Sequence, residues 1–363
     1  MPLTDIDAQR LGDSVADKLG VRNLIINGAM TVAQRATSTS TILGGTEYRT
    51  LDRFRTQLSG YTTAAGTVSQ STEAPTGFSK SIKFNVTTPE TISGSDLANI
   101  RYRVEAQDIQ NLEYGTSQAK TTTLSFYVRS SITGTYGISV FQDDASRNLG
   151  LTYSVNTADT WEYKTLTIPG DTSGTINNDT GEGLQIAWNL SVGSTFKGTD
   201  NTTWGAYSNP RWATGHTVDL LGATSDFYLT GVQLEVGNTA TPFEHRSYAD
   251  ELHRCQRYYQ EIVAGRVNSS YFGYSDANGR VLVVFPLARE LRTNIAHDGN
   301  GTVTRTGVVR VKDGFPSGAA NNNDAIDYYN NISNSLMLGL STTESGVAEG
   351  STYMVRIGSA NDE

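Results

Sequence analysis

From Asn23 onward, hydrophobic and polar residues alternate in short runs. Ser81–Val86, Thr122–Val128, Tyr136–Phe141, Tyr163–Ile168, Leu184–Trp188 and Phe227–Leu234 are rich in Val, Ile, Thr, Tyr and Phe, with Gly, Asn, Asp and Ser clusters between them. Such runs predict strands joined by turns. Within Thr122–Val128, Leu124, Phe126 and Val128 share one face and Thr123, Ser125 and Tyr127 the other. That is the pattern of a strand half-buried in a sandwich. With the runs roughly ten residues apart, the pattern predicts two packed antiparallel sheets, a mainly β protein.

The period becomes helical in two places. In Thr4–Gly20, Thr4 and Asp7 have capping-box spacing, Leu11, Val15 and Leu19 recur every four residues, and Gly20 can take the left-handed terminal position. A helix this short is marginal alone in water. Its apolar stripe therefore predicts docking, either on a neighbouring protein as an anchor or back on its own domain. From Ser247 to about Ala264, Leu252, Cys255, Tyr259 and Ile262 are spaced three, four and three apart. Ser247 and Asp250 can cap this second helix, and Asp250 and Arg254 stand one turn apart with the acid first. Three copies packed along that seam would form a homotrimer. Tyr271–Tyr274, Val281–Pro286 and Tyr353–Ile357 then predict a second β-module, with Asn-Gly turns at Asn278-Gly279 and Asn300-Gly301 and a loop over Gly318–Asp324.

Composition adds bounds. The 363 residues allow several modest cores, and 36 glycines, 18 tyrosines and a mean hydropathy of -0.36 suit sheets with solvated outer faces. A net charge of -9 opposes broad contact with nucleic-acid phosphates, which demands clustered Lys and Arg. No apolar run reaches the roughly twenty residues of a spanning helix, and the polar start lacks the parts of a signal peptide. The chain is expected to be soluble and not exported through a leader.

Candidate chemistry is sparse. His216, His245, His253 and His297 fall in different elements without metal-ligand spacing, so neither a metal site nor a catalytic histidine is expected. Cys255, the single cysteine, sits on an apolar stripe and reads as a packing residue. Asp143, Asp144 and Asp171 could supply oxygens to a structural calcium ion, though not with EF-hand spacing. The best ligand candidate is the loop Trp204–Trp212. In it Trp204, Tyr207 and Trp212 can stack on sugar faces while Asn209 and Arg211 satisfy hydroxyls. The alternative is that its tryptophans tuck beneath the loop as a satellite core. Trp161 and Trp188 read as core residues of strands.

Four segments carry a family likeness. Asn23–Arg35, Leu51-Asp-Arg-Phe54, Phe227–Arg246 and Arg254-Cys-Gln-Arg-Tyr-Tyr259 resemble tail-fibre and related virion proteins of tailed bacteriophages. In those proteins a jelly-roll module ends on such a strand and hands over to such a helix. Asp52-Arg-Phe54, Trp161-x-Tyr163 and the closing strand also resemble, in order, carbohydrate-binding modules with a jelly-roll sandwich. Fold likeness does not bring a ligand with it.

The resemblance implies an N-terminal virion-attachment segment (1–35), a jelly roll (36–246), a connecting helix at a trimer axis (247–264) and a distal β-module (265–363). It implies a non-enzymatic virion protein without cofactors, a homotrimer joined to other virion proteins through its N-terminus and turned toward host-surface glycan. It would be made in the host cytoplasm and carried on the tail. Two alternatives remain, a capsid-associated decoration or head-fibre protein and a glycan depolymerase tailspike. The depolymerase needs a facing carboxylate pair, and no spacing shows one.

Overall fold

The computed structural model describes residues 22–40, 45–198, 202–263, 274–275, 281–286, 310–313, 326–332, 335–340 and 353–358. The chain divides into two units, Met1–Tyr248 and Ala249–Glu363. The expected N-terminal helix, with Leu11, Val15 and Leu19, lies outside the described residues.

In the first unit the strands are β1 (Ser38–Ser40), β2 (Gly45–Glu47), β3 (Phe54–Ser59), β4 (Ala65–Ser71), β5 (Ser81–Thr88), β6 (Leu97–Glu105), β7 (Thr122–Ser130), β8 (Gly134–Gln142), β9 (Arg147–Val155), β10 (Glu162–Ile168), β11 (Glu182–Val192), β12 (Gly205–Ala206) and β13 (Ser225–Val236). They form two antiparallel sheets, one ordered β1-β4-β5-β13-β7-β10 and the other β12-β9-β8-β11-β6-β3-β2. This is the mainly β, two-sheet sandwich that the alternation predicts, of the jelly-roll kind that the resemblance implies.

Between the sheets lies an aromatic-rich core. Leu124, Phe126 and Val128 of β7 point into it, as do Leu184, Ile186, Trp188 and Leu190 of β11. Trp188 and Phe126, from opposite sheets, meet edge to face with centroids 5.9 Å apart, a favoured aromatic geometry. The one polar group on Tyr136 is satisfied: its hydroxyl donates to the Ile132 carbonyl at 2.8 Å. Trp161 departs from expectation. It precedes β10 and packs against Tyr228, centroids 6.0 Å apart, on the outer face of the first sheet.

Three of the distant segments that carry the family likeness, Asn23–Arg35, Leu51–Phe54 and Phe227–Arg246, meet in space. The Asn23 side chain donates to the Val232 carbonyl (3.1 Å) and accepts from the amides of Ile25 (2.9 Å) and Leu234 (3.1 Å). Asn27 donates to the Val32 and Asp52 carbonyls, both at 2.9 Å, and Arg246 donates to the Ile25 carbonyl at 3.1 Å. Residues 22–35 are thus clasped onto β13 as part of the sandwich. The clasp uses β13 where its register shifts between Thr230 and Gln233, a bulge in which Gly231 takes φ 62°.

The expected helix over 247–264 is shorter and needs correcting. Helix α1 spans Tyr248–Cys255, and Tyr259–Val263 is strand β14. Leu252 and Cys255 are on the helix, whereas Tyr259 and Ile262 pair as strand residues with Gly358 and Val355. Cys255 is fully buried and Tyr259 nearly so within a single chain. No four-residue helical seam exists, and the homotrimer argued from it loses its basis. The second unit continues with β15 (Tyr274–Ser275), β16 (Val281–Pro286), β17 (Arg310–Asp313), β18 (Ile326–Ile332), β19 (Ser335–Leu340) and β20 (Tyr353–Gly358), in antiparallel sheets ordered β14-β20-β17 and β15-β16-β19-β18. The expected turns at 278–279 and 300–301 and the loop over 318–324 lie outside the described residues.

Candidate functional site

On the seven-stranded sheet, alternation turns a second set of side chains outward. Strand β6 sends Ala98, Ile100, Tyr102 and Val104 into the core, which leaves Asn99, Arg101 and Arg103 on the opposite face. Register aligns them with neighbours in rows: Phe141, Gln185 and Arg103; then Ser139, Ala187, Arg101 and Arg55; then Asn189, Asn99 and Gln57.

Phe196, Trp212, Ala213 and His216, from the described stretches 194–198 and 202–221, pack on this face. Trp212 joins Leu97, Ala187, Val192 and Ala213 in a small apolar cluster there, against Phe141 and Phe196. Its indole N–H donates to Asn189 Oδ1 at 3.2 Å. The covering segment forms one wall of a cleft of about 420 Å³ whose lining includes Gln57, Arg101, Arg103, Asp143, Glu182, Gln185, Tyr207, Asn209 and Trp212. Such a volume lies in the range of small-ligand pockets, about 300–1,000 Å³.

The aromatic loop is therefore split by the fold. Tyr207, Asn209 and Trp212 reach the cleft; Trp204 and Arg211 do not line it. Tyr207 is the open member, 42% exposed, whereas Trp212 is 4% exposed. Phe141 backs Tyr207 edge to face at 5.4 Å, and the Tyr207 hydroxyl donates to Asn209 Oδ1 at 2.9 Å. Trp204 instead donates its indole N–H to the Pro169 carbonyl at 2.6 Å and packs against Tyr114 at 6.0 Å. Arg211 donates to the Thr203 carbonyl at 2.5 Å and lies against Gly205, which staples the loop to itself. The satellite-core alternative thus describes Trp212 well, while Tyr207 keeps a face for a ligand.

The cleft floor is rich in arginine. Arg101 donates to Asn99 Oδ1 at 2.8 Å and to Gln185 Oε1 at 3.4 Å, and its guanidinium stacks on Trp212 at 4.9 Å. Arg55 reaches the same Gln185 oxygen, also at 3.4 Å. Arg103 is ion-paired with Glu182. Burial, and then the neighbouring charges of Arg55 and Arg103, pull the Arg101 pKa down to about 9. Burial also lowers that of Arg55. Glu182 is shifted upward, chiefly by burial, with Arg103 opposing and Asp143 adding.

Strands β3 and β6 went unremarked in the sequence pattern, because Arg and Gln on alternate positions read as an ordinary solvated face. A detectable signal existed nonetheless: Asn99, Arg101 and Arg103 alternate with Ile100 and Tyr102, which places two cations on one face of a single strand.

Other candidates fall elsewhere. His216 is buried, with Nδ1 accepting from the Gly137 amide at 2.9 Å. His245 packs between Phe78 and Phe243, at 5.2 and 4.9 Å. Asp171 is ion-paired with Arg147 at 2.6 Å, and Asp144 binds the Asn177 amide at 2.9 Å. These carboxylates do not converge with Asp143, and among the described residues no three His, Cys, Asp or Glu side chains gather as a metal site. Among the described residues, no helix is long and apolar enough to cross a membrane.

No protein-family profile and no curated protein matches the chain. Solved structures similar to it include a domain of bacteriophage CBA120 tailspike protein 4, with TM-score 0.33 and 13% identity over 59% of this chain and 21% of that one. Another is a family 11 carbohydrate-binding module from a Clostridium thermocellum cellulase, with TM-score 0.30 and 10% identity over 56% and 98%. A third is the N-terminal cellulose-binding domain of Cellulomonas fimi β-1,4-glucanase C, with TM-score 0.27 and 13% identity over 47% and 85%. At these scores the likenesses bring neither a ligand nor a residue role to this chain.

Proposed function

We propose that this protein is a non-enzymatic bacteriophage virion protein, a tail fibre whose sandwich holds host-surface glycan in the cleft of the seven-stranded sheet. The virion assignment is supported by the sequence likeness of the segments that form the β13 clasp. The glycan assignment is carried by one observation: exposed Tyr207 stands beside amides and guanidiniums in a cleft of ligand size. An aromatic face beside fixed polar groups is what a pyranose ring, with apolar faces and a hydroxyl rim, requires. Attachment to other virion proteins is assigned to the segment before Arg22.

The test is binding of the full chain to host cells or purified surface polysaccharide. Tyr207→Ala should weaken binding about tenfold or more, equivalent to roughly 1.4 kcal/mol. Tyr163→Ala, which alters a residue 47% exposed on the other sheet, should leave it unchanged. Equal binding by both variants would remove the glycan assignment.

A depolymerase reading has one observation in its favour, since Glu182 and Asp143 both line the cleft. Against it, Glu182 is held by Arg103 rather than left free for proton transfer. The binding reading expects no new reducing ends when polysaccharide is incubated with the chain; their release, abolished by Glu182→Gln, would favour cleavage. A capsid-mounted head fibre would use the same cleft, and the position of the chain in the intact virion separates the two.

A further inference from the structure

We propose that the cleft selects acidic glycans, the Arg101 guanidinium of its lining, with Arg55 beside it on the next strand, receiving the carboxylate of an acidic sugar. This rests on the glycan reading and goes beyond it by naming the sugar class.

Arg55 and Arg101 are register partners on adjacent strands, so their side chains rise side by side from the sheet. Arg103, two residues further along the same face, has Glu182 as counter-ion. Among the described residues neither Arg55 nor Arg101 is ion-paired, and the two share one neutral acceptor, Gln185 Oε1, at 3.4 Å each. The Arg55 Nε is buried without a hydrogen-bond partner. Two adjacent guanidiniums, partly withdrawn from water and facing one amide oxygen, repel each other. A carboxylate placed between them relieves that repulsion and accepts in the forked geometry that guanidinium donors favour.

The surroundings point to a sugar as the bearer of the anion. Trp212 holds the Arg101 guanidinium from one side at 4.9 Å, which fixes its orientation before any ligand arrives. Tyr207, Gln57 and Asn209 line the same cleft and offer a ring face and amide groups, which an isolated inorganic anion would leave unused. The whole chain carries a net charge of -9, which opposes diffuse adhesion of an acidic polymer and makes its binding depend on local cationic groups such as these.

The experiment measures the affinity of the full chain for a panel of bacterial surface polysaccharides, each presented native and after chemical reduction of its carboxyl groups to alcohols. Inorganic phosphate serves as a separate probe. The polysaccharides retained should be carboxylated ones, and reduction should weaken each at least tenfold. Arg101→Gln and Arg55→Gln should weaken the native form by a similar factor and the reduced form by much less. Arg55→Lys, which keeps the charge and loses the fork, should fall between. Thermal midpoints of all variants identify any loss that comes from unfolding. Equal affinity for native and reduced forms would overturn acidic selection while leaving the glycan reading intact. Binding to no polysaccharide of the panel would overturn the glycan reading itself. Displacement by millimolar phosphate together with preference for phosphorylated polysaccharides would assign the arginines to phosphate instead of carboxylate.

Discussion

His216 shows how one buried side chain writes itself into the behaviour of the sandwich. It belongs to the stretch packed on the seven-stranded sheet, its Nδ1 accepting from Gly137, and burial, with Lys197 nearby, pulls its pKa from the usual 6.5 to about 3. The folded chain therefore keeps His216 neutral while the unfolded chain protonates it near pH 6.5. Its contribution to stability is complete above pH 6.5 and is lost as pH falls toward 3. Between pH 6.5 and 5, before most carboxylates titrate, stability should decline with a slope approaching 1.4 kcal/mol per pH unit. All four tryptophans belong to the first unit, so denaturant unfolding followed by tryptophan fluorescence reads this directly. His216→Gln should flatten the slope; an unchanged slope would mean that the imidazole is not held neutral.

At the scale of elements, β13 is the keystone, and its bulge explains why glycine stands at 231. Its φ of 62° favours a residue without Cβ, and a Cβ there would lie 2.8 Å from the Phe78 ring and 3.0 Å from that of Tyr127. Gly231→Ala should destabilise the sandwich by about 1–3 kcal/mol in the same unfolding measurement. A neutral effect would show that the bulge can relax. The strands were legible because alternation of period two over several residues has few competing explanations. The connecting helix was misread past Cys255 because a three-four spacing of apolar residues is also met by a helix that stops and a strand that follows. Tyr258, Tyr259, Ile262 and Val263 carry the β-branched and aromatic side chains that favour the strand. Of the cleft, sequence reasoning reached the wall: an aromatic cluster in a polar loop is locally visible. The floor was hidden because it is assembled from Gln57, Arg101 and Gln185, residues on three strands that only register brings together.

For the whole molecule, the pieces now have separate tasks. Three of the segments with virion likeness, Asn23–Arg35, Leu51–Phe54 and Phe227–Arg246, hold one another together in the first unit. Of the stripe expected to join three chains, Cys255 and Tyr259 are buried within one chain and the helix ends at Cys255. The open face of the seven-stranded sheet carries the cleft proposed to receive an acidic glycan. The most direct measurement is the structure of the full chain with bound fragments of a carboxylated host-surface polysaccharide. The account predicts a sugar ring over Tyr207 with its carboxylate in hydrogen-bond reach of Arg55 and Arg101. Sugar bound on the opposite sheet, or in the cleft with its carboxylate turned to solvent, would contradict it.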